Sequence, residues 1–375
     1  MSLLSFGKKT QTIALIDVRS SSIGAAYVLL ESGASPTLIY STRVPMDPHA
    51  TEPLEEALPR TLELALNSLT KKGSTLLRKV SGKGNVDRAL VTLTTPWQTS
   101  RVFSTVIEEE RPFLFTQKLV SAAASKQTKP VDGHTVVSQM AIATLLNGYE
   151  VENPFGKKIK RAELIMLSSS LKNDMMELVR TAVRKSLHQS HIEFAAFMPE
   201  SYAVFRDLYP HQRDFLIMDV GNEAAEVLLA KHGLLISTSC MPHGYGEMAR
   251  AARSVGFSSP ILPLLEVGGE QSAQVTKVEE AKTLWLSEIR TSLSELAKHE
   301  PLPRTVFLLA EENVRDFLRR LIDSPTLRSL WLSEEALSIL PIQPGQFSSY
   351  IKNESGEPLD PALSLIALAA KKRFS

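Results

Sequence analysis

The chain has 375 residues, 43% of them hydrophobic and 22% charged, which at about 100–200 residues per domain predicts two globular domains. Lys plus Arg (42) and Asp plus Glu (41) nearly cancel to a net charge of +1, so no global field favours nucleic acid or an anionic membrane. The single cysteine, Cys240, excludes an internal disulfide or a cysteine-built zinc cage and fits a cytoplasmic setting.

Residues 1–6 are too short for the apolar core of a secretion signal, and Lys8 and Lys9 follow that run instead of preceding it. No run approaches the ~20 apolar residues of a membrane span, and 362–370 reads as a buried helix. Any membrane contact is therefore expected to be indirect.

In chain order, 12–18, 23–30 and 37–42 read as three strands joined by hairpins, with Asp17 near the end of the first. Residues 53–69 carry Leu54, Leu58, Leu62, Leu66 and Leu69 at helical spacing, with Pro59 either kinking the helix or marking its first turn. The Lys-, Gly- and Ser-rich stretch 71–87 reads as a loop or boundary. Strand-like 89–94 and 100–107, a helix over 115–125 and strands 136–145 and 164–168 predict a compact inserted unit over 87–169. An amphipathic helix follows over 171–188, then a short strand over 194–197 and a helix over 200–208.

The second half echoes the first. An apolar strand over 215–220 carries Asp219 near its end, and strands 226–230 and 234–239 follow around a Lys231–Gly233 turn. Helices are expected over 246–255, 274–299, 314–322 and 361–372, with a buried strand at 305–310. The alternation predicts a mixed α/β architecture. Two Asp-bearing hairpin units facing each other would present backbone N–H groups to phosphate and hold a hydrated magnesium ion.

Ile13-Ala14-Leu15-Ile16-Asp17-Val18-Arg19-Ser20-Ser21-Ser22-Ile23, preceded by Gly7-Lys8-Lys9, resembles the opening of the PilM family, with its D-I-G-S-S-S-I-K phosphate motif. Phe215 to Glu226, through Asp219-Val220-Gly221-Asn222-Glu223, is similar to that family's second motif, D-I-G-x-E-x-T-D. Glu152-Asn153-Pro154-Phe155-Gly156 and Met198-Pro199-Glu200-Ser201 resemble segments of the related FtsA family.

The resemblance implies an actin-like (ribonuclease H-like) fold of two lobes with an inserted subdomain. Lobe 1 would take 1–86 and 170–210, the insert 87–169, lobe 2 211–354, and a C-terminal helix (355–375) would return to lobe 1. It implies ATP and magnesium as ligands if the cleft is retained. Asp17, Arg19, Ser20, Ser21, Ser22, Asp219, Gly221, Asn222 and Gly244 would meet phosphate. Asp17, Asp219 and Glu200 would hold magnesium, and Ala310, Glu311 and Glu312 would stand in the adenosine motif.

Several residues depart from the motifs. Arg19 replaces a glycine, so its side chain either blocks phosphate or contacts it. Gly24 replaces a lysine and so removes a phosphate-neutralising charge, and Ala224 and Ala225 replace hydroxyl residues. Ala310-Glu311-Glu312 replaces a run of glycines; its carboxylates either face the cleft and repel phosphate or open a helix and complement its dipole. The lost donors and cations predict impaired or absent ATP hydrolysis.

The expected role is a cytoplasmic scaffold of type IV pilus or related assembly. It would bind a short cytoplasmic segment of a membrane-anchored partner through the insert or the groove beside it. Self-association is left open and no nucleic acid is expected. Two other readings stand beside it: a polymerising FtsA-like division protein, against which the lack of room for an anchor after 361–372 counts, and an actin-fold small-molecule kinase, for which no base is visible. His188 with His191, Gly268-Gly269 and the basic cluster Lys157, Lys158, Lys160 and Arg161 read as surface features.

Overall fold

A computed structural model describes residues 10–46, 52–127, 131–151, 153–254, 273–298, 300–331 and 335–374. Gly7–Lys9, Glu152 and Gly268-Gly269 lie outside them. The first lobe opens with β1 (Thr10–Val18), β2 (Ser22–Glu31), β3 (Thr37–Pro45), α1 (Leu54–Ser68), α2 (Ser74–Ser81) and β4 (Arg88–Leu93). The insert holds β5 (Gln98–Leu114), α3 (Gln117–Gln127), β6 (His134–Leu146), β7 (Tyr149–Glu150) and β8 (Lys158–Lys172). The chain re-enters the first lobe through α4 (Asn173–Leu187), β9 (Ile192–Ala196) and α5 (Phe197–Leu208).

The second lobe holds β10 (Phe215–Val220), β11 (Ala225–Lys231), β12 (Leu234–Met241), α6 (Gly246–Ser254), α7 (Ala273–Ala297), β13 (Thr305–Leu309), α8 (Glu312–Ile322), α9 (Pro325–Arg328) and β14 (Ser338–Pro341). β15 (Lys352–Asn353) and α10 (Pro361–Phe374) follow.

The echo read in the sequence is a duplication in space. The first sheet runs β15-β3-β2-β1-β4-β9 and the second β12-β11-β10-β13-β14. In each, the Asp-bearing strand pairs antiparallel with the next strand on one side and parallel with a later strand on the other. β1 and β10 are buried on both faces, which is why they read as continuous apolar runs. Successive residues feed different layers. Ile13 and Leu15 of β1 join Phe215 and Ile217 of β10 in a central core with α5 and α10. Ala14 and Ile16 face Leu58, Leu62, Val179 and Val183 of α1 and α4, and Leu216 and Met218 face Trp285 of α7 and Phe317 of α8.

The structure corrects three expectations and decides between two readings of Pro59. Residues 88–93 do not open the insert: β4 pairs along β1, and the insert's own sheet, β5-β8-β6-β7, runs from Gln98 to Lys172. The 71–87 stretch is not a plain loop. A π turn at Leu69–Gly73 leads into α2, with Gly73 so close to the Tyr27 and Tyr40 rings that a Cβ would lie 2.9 Å from each. Pro59 lies inside α1, which starts at Leu54. The chain rejoins the first sheet at β15, before residue 355, where Lys352 and Asn353 pair with β3.

Candidate functional site

The ends of β1 and β10 face each other across the cleft, and Arg19 joins them. Its Nε donates to Asp17 Oδ2 at 2.8 Å and its Nη1 to Asp219 Oδ1 at 2.8 Å. The guanidinium lies 4.1 Å from the centre of the Phe197 ring, a cation–π contact. Burial alone would lower the Arg19 pKa; Asp17 and Asp219 outweigh it and hold it above its ordinary value. Burial pushes the Asp219 carboxyl up, with Arg19 opposing.

A second arginine completes the lobe 1 side. Arg43 donates to Asp17 Oδ2 at 2.8 Å, to Asp360 at the head of α10 at 2.5 Å and to the Ser22 hydroxyl at 2.9 Å. Burial of Asp360 is outweighed by Arg43, which depresses the carboxyl. Arg43 faces Gly24 across the β2–β3 pairing, and a Cβ on Gly24 would lie 2.6 Å from the Arg43 guanidinium. The cation that Gly24 removes from the motif is therefore supplied by the neighbouring strand, in space that only glycine leaves open. Arg43 and Asp360 escape sequence reasoning; a glycine within a strand was the signal that another group comes close.

The serines of the first turn bond to the second lobe. Ser21 and Ser22 donate to the same Glu311 oxygen at 2.6 and 2.7 Å, and the Glu223 backbone N–H donates to the Ser20 hydroxyl at 3.2 Å. Glu311 immediately precedes α8, so the two roles weighed for it coincide: it stands at the helix start and its carboxylate faces the cleft. Glu312 begins α8 and, with Ala310, borders a cavity of about 570 Å³ beside Arg19 and Glu311.

The β10–β11 turn is held from behind. Tyr245 and Gly246 N–H groups donate to the carbonyls of Gly221 and Asn222 at 3.0 and 2.8 Å, and the Asn222 amide donates to Glu223 at 2.6 Å. A Cβ on Gly244 would collide with the Gly221 and Asn222 carbonyls. Gly244→Ala is expected to cost about 2–4 kcal/mol, because backbone cannot yield as a side chain would; chemical denaturation measures it.

Nearer the insert, Glu226 accepts from the Thr95 hydroxyl at 3.1 Å and from the Gln98 amide. Burial pushes its carboxyl up to about 8, with Asp219 adding to the shift. Glu200 is not brought to the aspartates. It lies 3.6 Å from Arg373 at the far end of α10 from Asp360, about 20 Å along that helix. Burial raises its pKa against Arg373 and Lys372. No group of three His, Cys, Asp or Glu side chains placed to hold a metal occurs among the described residues.

No family model and no curated protein matches the chain. Among solved structures, one titled a PilM–PilN type IV pilus biogenesis complex superposes over 98% of this chain and 98% of that one, with a TM-score of 0.58 and 15% identity. The chain has the actin-like fold. A Bacteroides thetaiotaomicron protein titled as having an actin-like ATPase fold and unknown function covers 99% of each chain at 10% identity and a TM-score of 0.43. The ethanolamine utilization protein EutJ of Carboxydothermus hydrogenoformans covers 98% of this chain and 90% of that one at 9% identity and a TM-score of 0.41.

The actin-like fold implies a nucleotide with magnesium in the cleft, and the residues present do not fit one. A guanidinium bridges the two aspartates that would coordinate the metal, and a carboxylate already accepts from the serine hydroxyls that would serve a phosphate. Sequence reasoning counted Arg19 and Glu311 as departures one by one; the structure shows them in one hydrogen-bonded cluster.

Away from the cleft, the actin-like body carries a groove of about 860 Å³ between the insert and the start of the second lobe. One wall is Ala141 to Thr144 of β6 and Phe155; the other includes Tyr209 and Arg213. β6 pairs with β8 along its length on one side; on the other it pairs with β7 at Leu145 and Leu146, and the Thr144 carbonyl accepts from the Val151 N–H at 2.9 Å.

Proposed function

We propose that the chain is a scaffold of a membrane-associated assembly machine of the type IV pilus kind, binding an extended segment of a membrane-anchored partner and not working as an efficient ATPase. The observation that carries this reading is the open edge of β6 along the groove. A strand edge with unpaired N–H and C=O groups is a template for a further strand.

The two edges of the insert sheet differ in what guards them. β5 carries Glu108, Glu109 and Glu110, all exposed, on its outer stretch, a charged run of the kind that discourages pairing. Along the groove β6 presents the exposed Ala141 and the half-buried Ile142 beside the exposed Phe155 ring, with Ala143 and Thr144 buried beneath. That is a small, apolar strip on which an extended peptide can lie. The groove's charges are mixed, Arg206 and Arg213 standing with Asp207 and Glu150, so they favour a partner segment of mixed charge around its apolar residues.

The solved structure of similar fold is titled as a complex of two proteins, which agrees with a partner-holding role. No helix among the described residues is long and apolar enough to cross a membrane. In this reading the partner holds the chain at the cytoplasmic face of the membrane.

The test is a photo-crosslinking residue at Ile142 in the full chain in its native cells. The expected product is a crosslink to a single-span membrane protein through its cytoplasmic tail. The same residue placed at Leu64, exposed on α1, is the control. Identical products from both positions would overturn the reading.

A further inference from the structure

We propose that the metal and phosphate positions of the actin-like cleft are taken by the protein's own side chains: the Arg19 guanidinium stands in for the divalent cation and the Glu311 carboxylate for a nucleotide phosphate, so that the two lobes are joined without nucleotide. This stands apart from the partner reading and rests on the cleft alone.

The substitution is chemical as well as spatial. A magnesium ion in such a site would be shared by acidic oxygens from both lobes. Arg19 delivers positive charge to those same oxygens, 2.8 Å from each, by a planar fork with donors on separate nitrogens. A phosphate would accept from hydroxyls and backbone N–H groups of the first turn. Glu311 accepts from two of those hydroxyls at once, through one oxygen. The exchange is complete on both sides, since Arg19 comes from lobe 1 and reaches lobe 2 while Glu311 does the reverse.

Charge balance then works against nucleotide. Asp17, Asp219, Asp360 and Glu311 already outnumber Arg19 and Arg43 in the cluster. A polyphosphate entering beside Glu311 would find Arg19 and Arg43 already paired with carboxylates, and the cavity's other cations, Lys72 and Arg315, share its lining with Glu311, Glu312 and Glu357. Metal cannot compensate without displacing a guanidinium whose charge is held by two carboxylates.

The links are also suited to joining lobes. Arg19–Asp219, Ser21 and Ser22 with Glu311, and Glu223 N–H with Ser20 are four contacts from one turn, each crossing the cleft and each buried or half-buried. In a nucleotide-dependent member of this fold, the ligand would have to supply that bridge. Here it is covalently part of the protein, so its effective concentration is fixed by the fold.

Calorimetry and thermal unfolding of the full chain with millimolar Mg-ATP test the proposal. The wild-type protein is expected to show no binding heat and no rise in melting temperature. Either response, or a rise with magnesium alone, would overturn it. The Arg19→Gly/Glu311→Gly variant is expected to bind Mg-ATP at least about tenfold more tightly than wild type, since it frees both positions. If that variant does not fold, Glu311→Gly alone keeps the Arg19 bridge and is tested with inorganic triphosphate without metal. There Ser21 and Ser22, released from Glu311, are expected to bind the anion, and no gain over wild type means that Glu311 is not what fills the phosphate position.

Discussion

Replacing Arg19 by Met should destabilise the protein by about 3–5 kcal/mol at neutral pH, among the largest effects of any single substitution in this chain. Methionine keeps much of the side-chain volume and its contact with Phe197, so the loss reports the charge and its hydrogen bonds. Asp17 is left with Arg43, 2.8 Å away, and stays compensated. Asp219 is left buried without the guanidinium that faces it, and its carboxyl already sits above its ordinary value. Its cheapest response is to take up a proton.

That response gives the substitution a pH signature. At acidic pH Asp219 is neutral in the variant and the cost is small; as pH rises, the variant must either bind a proton that is harder to obtain or bury a bare carboxylate. The gap between wild type and Arg19→Met should therefore widen from pH 5 to pH 8. Adding Asp219→Asn should recover about 1–3 kcal/mol at the higher pH, a coupling that neighbours in a shared network show and distant sites do not. Arg19→Lys should fall between, because an ammonium group lacks the fork that reaches both lobes. Urea denaturation of the four proteins across pH checks this; a gap that is constant with pH would mean Asp219 is not the orphaned group.

What was legible in the sequence and what was not divide along a physical line. The doubled sheets could be read because each depends on local pattern: apolar runs at Ile13–Val18 and Phe215–Val220, turn residues after them, and an aspartate at the end of each. The resemblance to PilM-type motifs then set the two halves across one cleft. The cluster in that cleft was not legible, because its contacts join residues about 200 and 290 positions apart in the chain, and no spacing rule links Arg19 to Asp219 or Ser21 to Glu311.

The errors follow the same line. β4 has the composition of any short buried strand, and only its parallel partner β1 decides that it belongs to lobe 1 and not to the insert. Glu200 follows a family motif in sequence, yet the packing of α5 on α10 turns it toward Arg373. Gly24 is the instructive case. Read alone it subtracts a charge; read with its cross-strand neighbour Arg43 it is the vacancy that admits one.

Glu226→Gln should make the protein more stable at alkaline pH and remove much of its pH dependence between about 4.5 and 8. Burial holds the native carboxyl at about 8 against its ordinary value of 4.5. Below 4.5 the group is neutral in both native and unfolded chains and contributes no slope. Between the two values the unfolded chain releases the proton while the native chain retains it. The native state then binds more protons, so stability falls as pH rises, and the loss is complete above about 8. A difference of this size corresponds to roughly 3–6 kcal/mol. Asp219, raised in the same direction, leaves some slope behind in the variant. Asp87, Asp214 and Asp360 are depressed and act in a separate window: their stabilisation is present above their ordinary value of 3.8 and lost as pH falls below it. The glutamine oxygen can accept from Thr95 and Gln98 as Glu226 does, so the variant keeps the contacts and loses only the titration. Both partners lie where lobe 1 passes into the insert, so ionising Glu226 loads the contact between that junction and the second lobe. Hydrogen exchange of the wild-type chain should accordingly show β11 losing protection relative to β1 when pH rises from 7 to 9, after correction for intrinsic rates, and the glutamine variant should hold the two strands level.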